Sequence, residues 1–268
     1  MIELIGISGG YHGKEFVKDI SAGLQRGTIT SILGLNGHGK STLVKLACGQ
    51  LAPYQGDILV DGTSMRDIPA KMLAQKISYL PQSRNTPNIL VETLVMHGRF
   101  PHLGYPRIYR EADRQAAAKA METVGILPLR RAYLSEISGG ERQKAYMAMV
   151  LAQDTDAIFL DEPTTFLDIA YQLEMIQWIK SLRNQDKAVI LVSHDINLAL
   201  IESDQVLLLQ SGRLVQAAPP TALLASGFLE QIFGVQISAC QGPGGQMQYM
   251  FTQPSKDTAS YLDDETTI

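Results

Sequence analysis

The stretch Gly34-Leu35-Asn36-Gly37-His38-Gly39-Lys40-Ser41-Thr42 decides the fold of this chain. It fits the pattern Gly-x4-Gly-Lys-Ser, and it lies between a predicted strand, Thr28 to Leu33, and an apolar run that predicts a helix to about Gly49. In this context the glycines let backbone N–H groups converge on a phosphate, and the helix N-terminus adds the positive end of its dipole. We expect Lys40 to reach the β- and γ-phosphates of a nucleotide and the Ser41 hydroxyl to bind Mg²⁺.

Two adjacent carboxylates follow another short apolar run. Ala157 to Leu160 predicts a buried strand, and Asp161 and Glu162 come directly after it. Most Asp-Glu pairs in such a place are solvated turn residues, but the phosphate-binding stretch upstream favours a functional pair. Asp161 can hold Mg²⁺, and Glu162 can polarise the water that attacks the γ-phosphate.

A serine and two glycines precede a helical run that begins near Arg142. Taken alone, Ser138-Gly139-Gly140-Glu141 is typical of an N-cap serine with turn glycines. A hydroxyl and two small residues at a helix N-terminus also form an anion site. Because the chain has one phosphate-binding loop, we interpret this second site as one that serves a nucleotide held by another copy.

Three further side chains complete the predicted site. His194 follows a predicted strand and can donate to a γ-phosphate oxygen, although a lone histidine there is usually structural. Gln82 ends another strand, and its amide either binds Mg²⁺ or the attacking water or caps a loop. Tyr11, which we place in the loop after the first strand, can stack on an adenine ring.

The order of the predicted elements indicates an α/β fold. Apolar strands alternate with helices, as in a mainly parallel sheet covered on both faces, and a hairpin around Ser211-Gly212 contributes to an antiparallel β portion. We expect one domain over residues 1–252, with a core at about 1–85 and 156–252 and an inserted helical subdomain at about 86–155. Residues 253–268 are polar and acidic, which predicts a disordered tail.

The composition excludes several classes of protein. The 23 basic and 27 acidic residues give a net charge of -4 with no basic run, which argues against a nucleic-acid partner. Two cysteines are too few for a disulfide framework or a zinc cluster, and the run around Cys48 predicts a buried thiol. No stretch has the ~18 to 20 apolar residues of a membrane span, and Met1 to Ile5 does not resemble a signal peptide. We therefore expect a cytoplasmic chain.

With these residues in hand, the chain resembles the nucleotide-binding subunit of an ABC transporter over about residues 2–251. The resemblance implies the P-loop NTPase core of an ABC ATPase, with ATP and Mg²⁺ as cofactors. The stretches similar to the Walker A, Q-loop, signature, Walker B, D-loop and switch regions are, in that order, Gly34 to Thr42, Gln82, Ile137 to Glu141, Ile158 to Glu162, Thr165 to Asp168, and His194.

The same resemblance implies a mechanism with two copies. Each ATP lies between residues 34–42 of one copy and the Ser138 segment of the other, with Asp168 also at the nucleotide. ATP closes this homodimer, hydrolysis reopens it, and the movement passes to membrane permease subunits at the cytoplasmic face of the inner membrane. The segment Val91 to Tyr109 is either the docking surface for those subunits or an ordinary packed helical hairpin.

Three stretches narrow the resemblance to importers of ferric siderophores, haem and cobalamin, namely residues 97–104, 148–153 and 160–169. Such an importer works indirectly with a substrate-binding protein. A soluble ABC ATPase of iron–sulfur cluster assembly is the alternative, and these stretches argue against it.

The chain departs from the pattern of the family at Leu35, His38, Ile137 and Glu141, and two of these residues bear on the chemistry. His38 stands where a small residue is usual; we expect its side chain to point outward, and we hypothesise that it makes nucleotide affinity depend on pH. Glu141 replaces a common glutamine and places a carboxylate near the phosphates of the partner's nucleotide. We expect this charge to slow turnover modestly.

Overall fold

The structure is a computed structural model that describes residues 1–82, 86–165, 167–242, 245 and 247–254. Phe166 of the D-loop-like run and most of the predicted tail, residues 255–268, lie outside the described residues. The strands are β1 (Ile2–Tyr11), β2 (Lys14–Leu24), β3 (Ile29–Leu33), β4 (Gln55–Val60), β5 (Thr63–Ser64), β6 (Ile77–Leu80), β7 (Ala157–Asp161), β8 (Ala188–Val192), β9 (Gln205–Gln210), β10 (Arg213–Ala218), β11 (Gln236–Gln241) and β12 (Met247–Thr252). The α-helices are α1 (Lys40–Ala47), α2 (Ala70–Lys76), α3 (Val91–His97), α4 (Glu111–Thr123), α5 (Gly139–Gln153), α6 (Ile169–Asn184), α7 (Ile196–Glu202), α8 (Pro220–Ala225) and α9 (Phe228–Phe233).

The central sheet of the described part of the chain has the strand order β10-β9-β3-β8-β7-β6. Its strands run parallel except for β10, which pairs antiparallel with β9. Strands β3, β7 and β8 are buried along their whole length, as in a parallel sheet covered on both faces. Because β6, β7 and β8 are neighbours that end at the same edge, the residues that follow them meet there.

A second, antiparallel sheet has the order β2-β1-β4-β5, and helix α1 packs between it and the central sheet. Leu43 and Leu46 of α1 belong to one buried cluster with Ile7 of β1 and Ile190 of β8. The helix that follows the phosphate-binding loop is therefore buried on two sides, which fixes the position of the loop. The predicted α/β fold with an antiparallel portion is confirmed.

Helices α3, α4 and α5 follow β6 and precede β7 in the chain, where the sequence predicts a helical insertion. They pack on one another through small and apolar side chains such as Val95, Ala117 and Ala148, and their cluster continues to Leu160 of β7 and Met175 of α6. The limits of the subdomain, about residues 86–155, stay a prediction.

Strand β1 is longer than its sequence indicates. It continues through Gly9 and Gly10 to Tyr11, so our placement of Tyr11 in a loop was wrong. The physical reason is close packing: a Cβ on Gly9 would lie 2.8 Å from the Leu46 side chain, and one on Gly10 would overlap the Lys14 carbonyl oxygen. The glycines are thus needed within the sheet rather than at its end.

Two further predictions concern burial and the membrane. Cys48 is 8% exposed, and burial raises the pKa of its thiol to about 12, which confirms a buried, unreactive cysteine. Among the described residues, no helix combines the length and the apolar character that crossing a membrane requires.

Candidate active site

The phosphate-binding loop is held between two strands by glycines that no other residue can replace. Gly39, the residue before α1, has φ 92°, and a Cβ there would lie 2.5 Å from the Phe16 carbonyl oxygen. Gly34, with φ 151°, would place a Cβ 2.5 Å from the Leu209 carbonyl oxygen. The loop therefore lies directly against β2 and β9, with the start of α1 at its end.

Lys40 points back into this loop. Its Nζ donates to the carbonyl oxygens of Gly34 at 2.7 Å and Leu35 at 3.1 Å, and the residue is 6% exposed. Burial lowers the pKa of the ammonium, while the charges of Glu162 and Asp161 oppose that shift. A buried cation beside two carboxylates can bind a phosphate at little cost in desolvation.

Asp161 ends β7 at the bottom of the site and is 2% exposed. Its carboxylate accepts from the Ser41 hydroxyl at 3.5 Å and from the Tyr79 hydroxyl at 3.3 Å. Burial raises the pKa of this carboxyl, and the two hydrogen bonds oppose the shift. The sequence did not indicate a role for Tyr79, which lies on β6, where the pairing with β7 aligns it with Phe159.

Glu162 is the centre of a side-chain cluster. Its backbone N–H donates to the Val192 carbonyl oxygen at 3.0 Å, and its φ of 51° places it in the left-handed region, at a cost of about 1–3 kcal/mol for a non-glycine residue. One carboxylate oxygen, Oε1, pairs with Nε2 of His194. The other, Oε2, accepts from Gln82 Nε2 at 2.6 Å and from Thr165 Oγ1 at 3.1 Å. The carboxylate is thus held from three sides, and the part played by Thr165 was not predicted.

These groups border one cleft of about 480 Å³. Tyr11 lies at its margin, edge-on to Phe16 with 5.9 Å between ring centroids, and the Lys45 ammonium lies 5.5 Å from its ring. The structure therefore brings most of the predicted nucleotide site together, with Phe16 as an addition. The cleft is lined by Tyr11, Phe16, Asn36, Gly37, Gly39, Lys40, Ser41, Thr42, Gln82, Glu162 and His194.

His38 has a neighbour that the sequence did not indicate. Its Nδ1 accepts from the backbone N–H of Ser211, in the β9–β10 turn, at 3.3 Å. The backbone N–H of His38 donates to the Leu35 carbonyl oxygen at 3.3 Å. The side chain therefore connects the loop to the turn.

The Ser138 segment forms a capping box at the start of α5. The Glu141 N–H donates to Ser138 Oγ at 3.3 Å, and Glu141 Oε2 accepts from the Ser138 N–H at 2.8 Å and from its hydroxyl at 2.7 Å. The hydrogen bonds to Ser138 lower the pKa of the Glu141 carboxyl. The capping role that the sequence left open is thus present. Asp168 has a similar place at the start of α6, where its side chain accepts from the Tyr171 N–H at 3.0 Å.

The geometry can support phosphoryl chemistry. Ser41 and Asp161 offer the oxygen ligands that Mg²⁺ prefers, and Mg²⁺ usually takes its other ligands from water and phosphate. The cluster around Glu162 places a carboxylate where it can accept a proton from water. Within the described residues no three His, Cys, Asp or Glu side chains form a metal cage.

A family model described as "ABC transporter" matches residues 17–165, more than half of the chain. The chain belongs to the ABC transporter family. This ABC protein is an ATP-binding subunit that hydrolyses ATP, and the geometry of its site agrees with the activity of the family. Its fold class is that of the ABC ATPases.

Relatives and solved structures extend the match over most of the chain. The petrobactin import ATP-binding protein YclP of Bacillus subtilis (strain 168) is 37% identical over 240 residues, which cover 88% of this chain and 94% of that protein. The ferric enterobactin transport ATP-binding protein FepC of Escherichia coli (strain K12) is 34% identical, with 87% of each chain covered. An inward-facing structure of a putative metal-chelate type ABC transporter superposes with a TM-score of 0.81 at 26% identity, over 96% of this chain and 98% of that one.

Proposed function

We propose that this ABC ATPase powers the import of a ferric siderophore, or a similar metal chelate, through partner membrane subunits. The observation that carries the ATPase part of the proposal is the convergence of phosphate-binding, metal-binding and catalytic side chains at one sheet edge. Lys40 and Asp161 lie at the phosphate-binding loop, and Gln82, Glu162 and His194 follow three neighbouring parallel strands.

Each residue in this set has a role that its contacts support. Lys40 binds the β- and γ-phosphates, and Ser41 and Asp161 hold Mg²⁺. Glu162 is the general base for the attacking water, oriented by its contacts with Gln82 and His194. Because the Gln82 amide nitrogen donates to Glu162, the amide oxygen is the atom available to Mg²⁺ or water.

Hydrolysis takes place between two copies of the chain. The described residues that line the cleft do not include Ser138, Gly139, Gly140 or Glu141, which is compatible with a role in another copy. We infer that the Ser138 segment and Asp168 serve the nucleotide of the other copy, so that a closed homodimer contains two complete sites.

The names of the relatives support the cargo that we propose. YclP and FepC are named for the import of petrobactin and the transport of ferric enterobactin, and the superposed structure is of the metal-chelate type. The chain then acts at the cytoplasmic face of the inner membrane, with permeases that receive cargo from a substrate-binding protein. A soluble ATPase of iron–sulfur cluster assembly is disfavoured, because these relatives are transport subunits.

The docking surface for the permease is the segment from Phe100 to Ile108. Tyr105 is 100% exposed and Ile108 64%, and Phe100, 47% exposed, lies under the Arg107 guanidinium at 4.6 Å. An exposed aromatic and aliphatic patch of this kind marks an interaction site.

The segment rests on a firmly bonded base. The Arg99 guanidinium pairs with Asp113 at 3.2 Å and donates to the Ala152 carbonyl oxygen at 2.8 Å. Lys71 Nζ donates to the Leu103 carbonyl oxygen at 2.6 Å. A surface anchored in this way can transmit force in both directions between the ATPase and the membrane.

Reconstitution tests the function directly. The tagged chain is purified in detergent with the membrane proteins that accompany it, placed in liposomes, and tested for ATP-dependent uptake of ⁵⁵Fe-labelled siderophores. We expect uptake that disappears in the Glu162→Gln variant. Robust ATP turnover without any membrane partner would instead favour the soluble alternative.

Docking has its own test. Tyr105→Ser should reduce recovery of the membrane partner while ATP binding stays normal, because Tyr105 lies outside the cleft. Tyr133→Ser is the matched control, since Tyr133 is 42% exposed and lies elsewhere in the helical region. Equal recovery with both variants would remove this segment as the docking surface.

A further inference from the structure

The two glycines of the Ser138 segment have different surroundings. A Cβ on Gly139 would have no atom within 4 Å, so that glycine faces open space. A Cβ on Gly140 would lie 2.6 Å from Cε2 and 2.7 Å from Cδ2 of Tyr171. A side chain at residue 140 would therefore overlap the Tyr171 ring of the same chain.

Tyr171 also forms a hydrogen bond with Asp168, the other residue that we assign to the partner's nucleotide. It lies in the first turn of α6, and its backbone N–H donates to the Asp168 carboxylate at 3.0 Å. One residue thus contacts the start of α5 with its ring and the start of α6 with its backbone.

Lys144 strengthens this connection from the α5 side. Its Nζ lies 4.7 Å from the centroid of the Tyr171 ring and pairs with Glu174 of α6 at 2.5 Å. The Lys144 side chain is only 15% exposed, which favours both the cation–π contact and the ion pair. One helical turn earlier, Gly140 presents its bare backbone to the same ring.

We propose that Tyr171 is a positioning residue that fixes the Ser138 segment relative to Asp168, so that both reach the partner's nucleotide as one rigid unit. This inference rests on the proposed two-copy mechanism. A ring held between Gly140 and Lys144 keeps the starts of α5 and α6 in one arrangement. Without the Tyr171 ring, the starts of α5 and α6 would have to be ordered separately when the dimer closes. The entropy lost in that ordering would weaken dimerisation rather than ATP binding by a single copy.

ATP-dependent dimerisation tests the role of Tyr171. In a Glu162→Gln background, sedimentation at increasing ATP gives the concentration for half-maximal dimer. We expect Tyr171→Ala to raise that concentration about tenfold, and Tyr171→Phe, which keeps the ring, to leave it unchanged. ATP binding at low protein concentration, where the chain is a single copy, should be the same in all variants. Leu173→Ala is the control, because Leu173 is 57% exposed on the same helix.

Each outcome of this experiment decides something. If the Glu162→Gln parent dimerises with ATP but Tyr171→Ala does so at the same concentration, the role of Tyr171 is overturned and the proposed function stands. A parent that stays monomeric at saturating ATP contradicts the two-copy mechanism and this inference with it. If Tyr171→Ala is poorly folded, Tyr171→Leu replaces it and the same comparison applies.

A double-mutant cycle tests the packing without any nucleotide. Gly140→Ala should lower the melting temperature in the wild-type chain, because the new methyl group overlaps the Tyr171 ring. The same substitution should have little effect in Tyr171→Ala, where the space is free. An equal loss in both backgrounds would show that the ring is not what excludes a side chain at residue 140.

Discussion

Replacing Glu162 by glutamine separates catalysis from binding and folding. The general base contributes about 100- to 10,000-fold to a hydrolysis step, so we expect ATP turnover to fall at least about 100-fold. Glutamine has nearly the same shape, and Glu162 is only 9% exposed, so the site should keep its form. ATP binding should be unchanged, because Lys40 and Ser41 are not altered.

The contacts of the Glu162 carboxylate determine how much the substitution changes the free energy of unfolding. The amide oxygen can accept from Gln82 and Thr165 in place of Oε2, and the NH₂ group can donate to His194 Nε2 when the histidine proton is on Nδ1. Hydrogen bonds to a charged group are stronger than neutral ones by about 1 kcal/mol each, and the neutral amide in turn costs less to bury. We expect the free energy of unfolding to fall by about 1 kcal/mol.

Three measurements examine this prediction together: phosphate release at saturating ATP, equilibrium ATP binding, and thermal unfolding. Glu202→Gln is the matched control, because Glu202 is also a sheltered carboxylate, with its side chain 13% exposed, and it pairs with Lys180 away from the cleft. Turnover within threefold of wild type would refute the role of Glu162 as base. A loss of turnover accompanied by lost ATP binding would refute the reasoning that its role is purely chemical.

Four further substitutions probe the site and the scaffold. Lys40→Ala should weaken equilibrium ATP binding at least about tenfold, since a buried cation at the phosphates is lost; unaltered binding would contradict the loop assignment. Glu141→Gln keeps a cap acceptor but removes a charge, so steady-state kinetics should show a modestly higher turnover at low ATP, and a lower one would contradict the expected repulsion. His38→Ala removes the acceptor for the Ser211 N–H, so it should lower the melting temperature; an unchanged melting temperature would show that this hydrogen bond does not hold the loop to the β9–β10 turn. Ion pairing lowers the pKa of Asp61 to about 2, below its ordinary 3.8. The ion pairs of Asp61 therefore stabilise the fold above about pH 4, and this stabilisation is lost as the pH falls towards 2. Asp61→Asn should lower the melting temperature at pH 7 in low salt but not at pH 2.

The predictions that succeeded rest on local chemistry. The predicted strands Thr28 to Leu33 and Ala157 to Leu160 agree within one residue with β3 and β7, because short runs of buried aliphatic residues specify them without distant partners. The placement of Tyr11 in a loop failed because it depends on distant packing. Gly9 and Gly10 belong to β1, and only the packed structure shows that α1 and β2 leave no room for a side chain there.

The sequence by itself determined the chemistry of this protein: a phosphate-binding loop before a helix, and carboxylates after a strand. These are properties of a few adjacent residues, and their backbone conformation follows from the residue types. The tertiary structure alone decided which side chains hold the reactive groups. Glu162 accepts from Gln82, 80 residues away, and His38 from Ser211, 173 residues away. Such contacts depend on which strands lie side by side, and strand order is settled by the packing of the whole core.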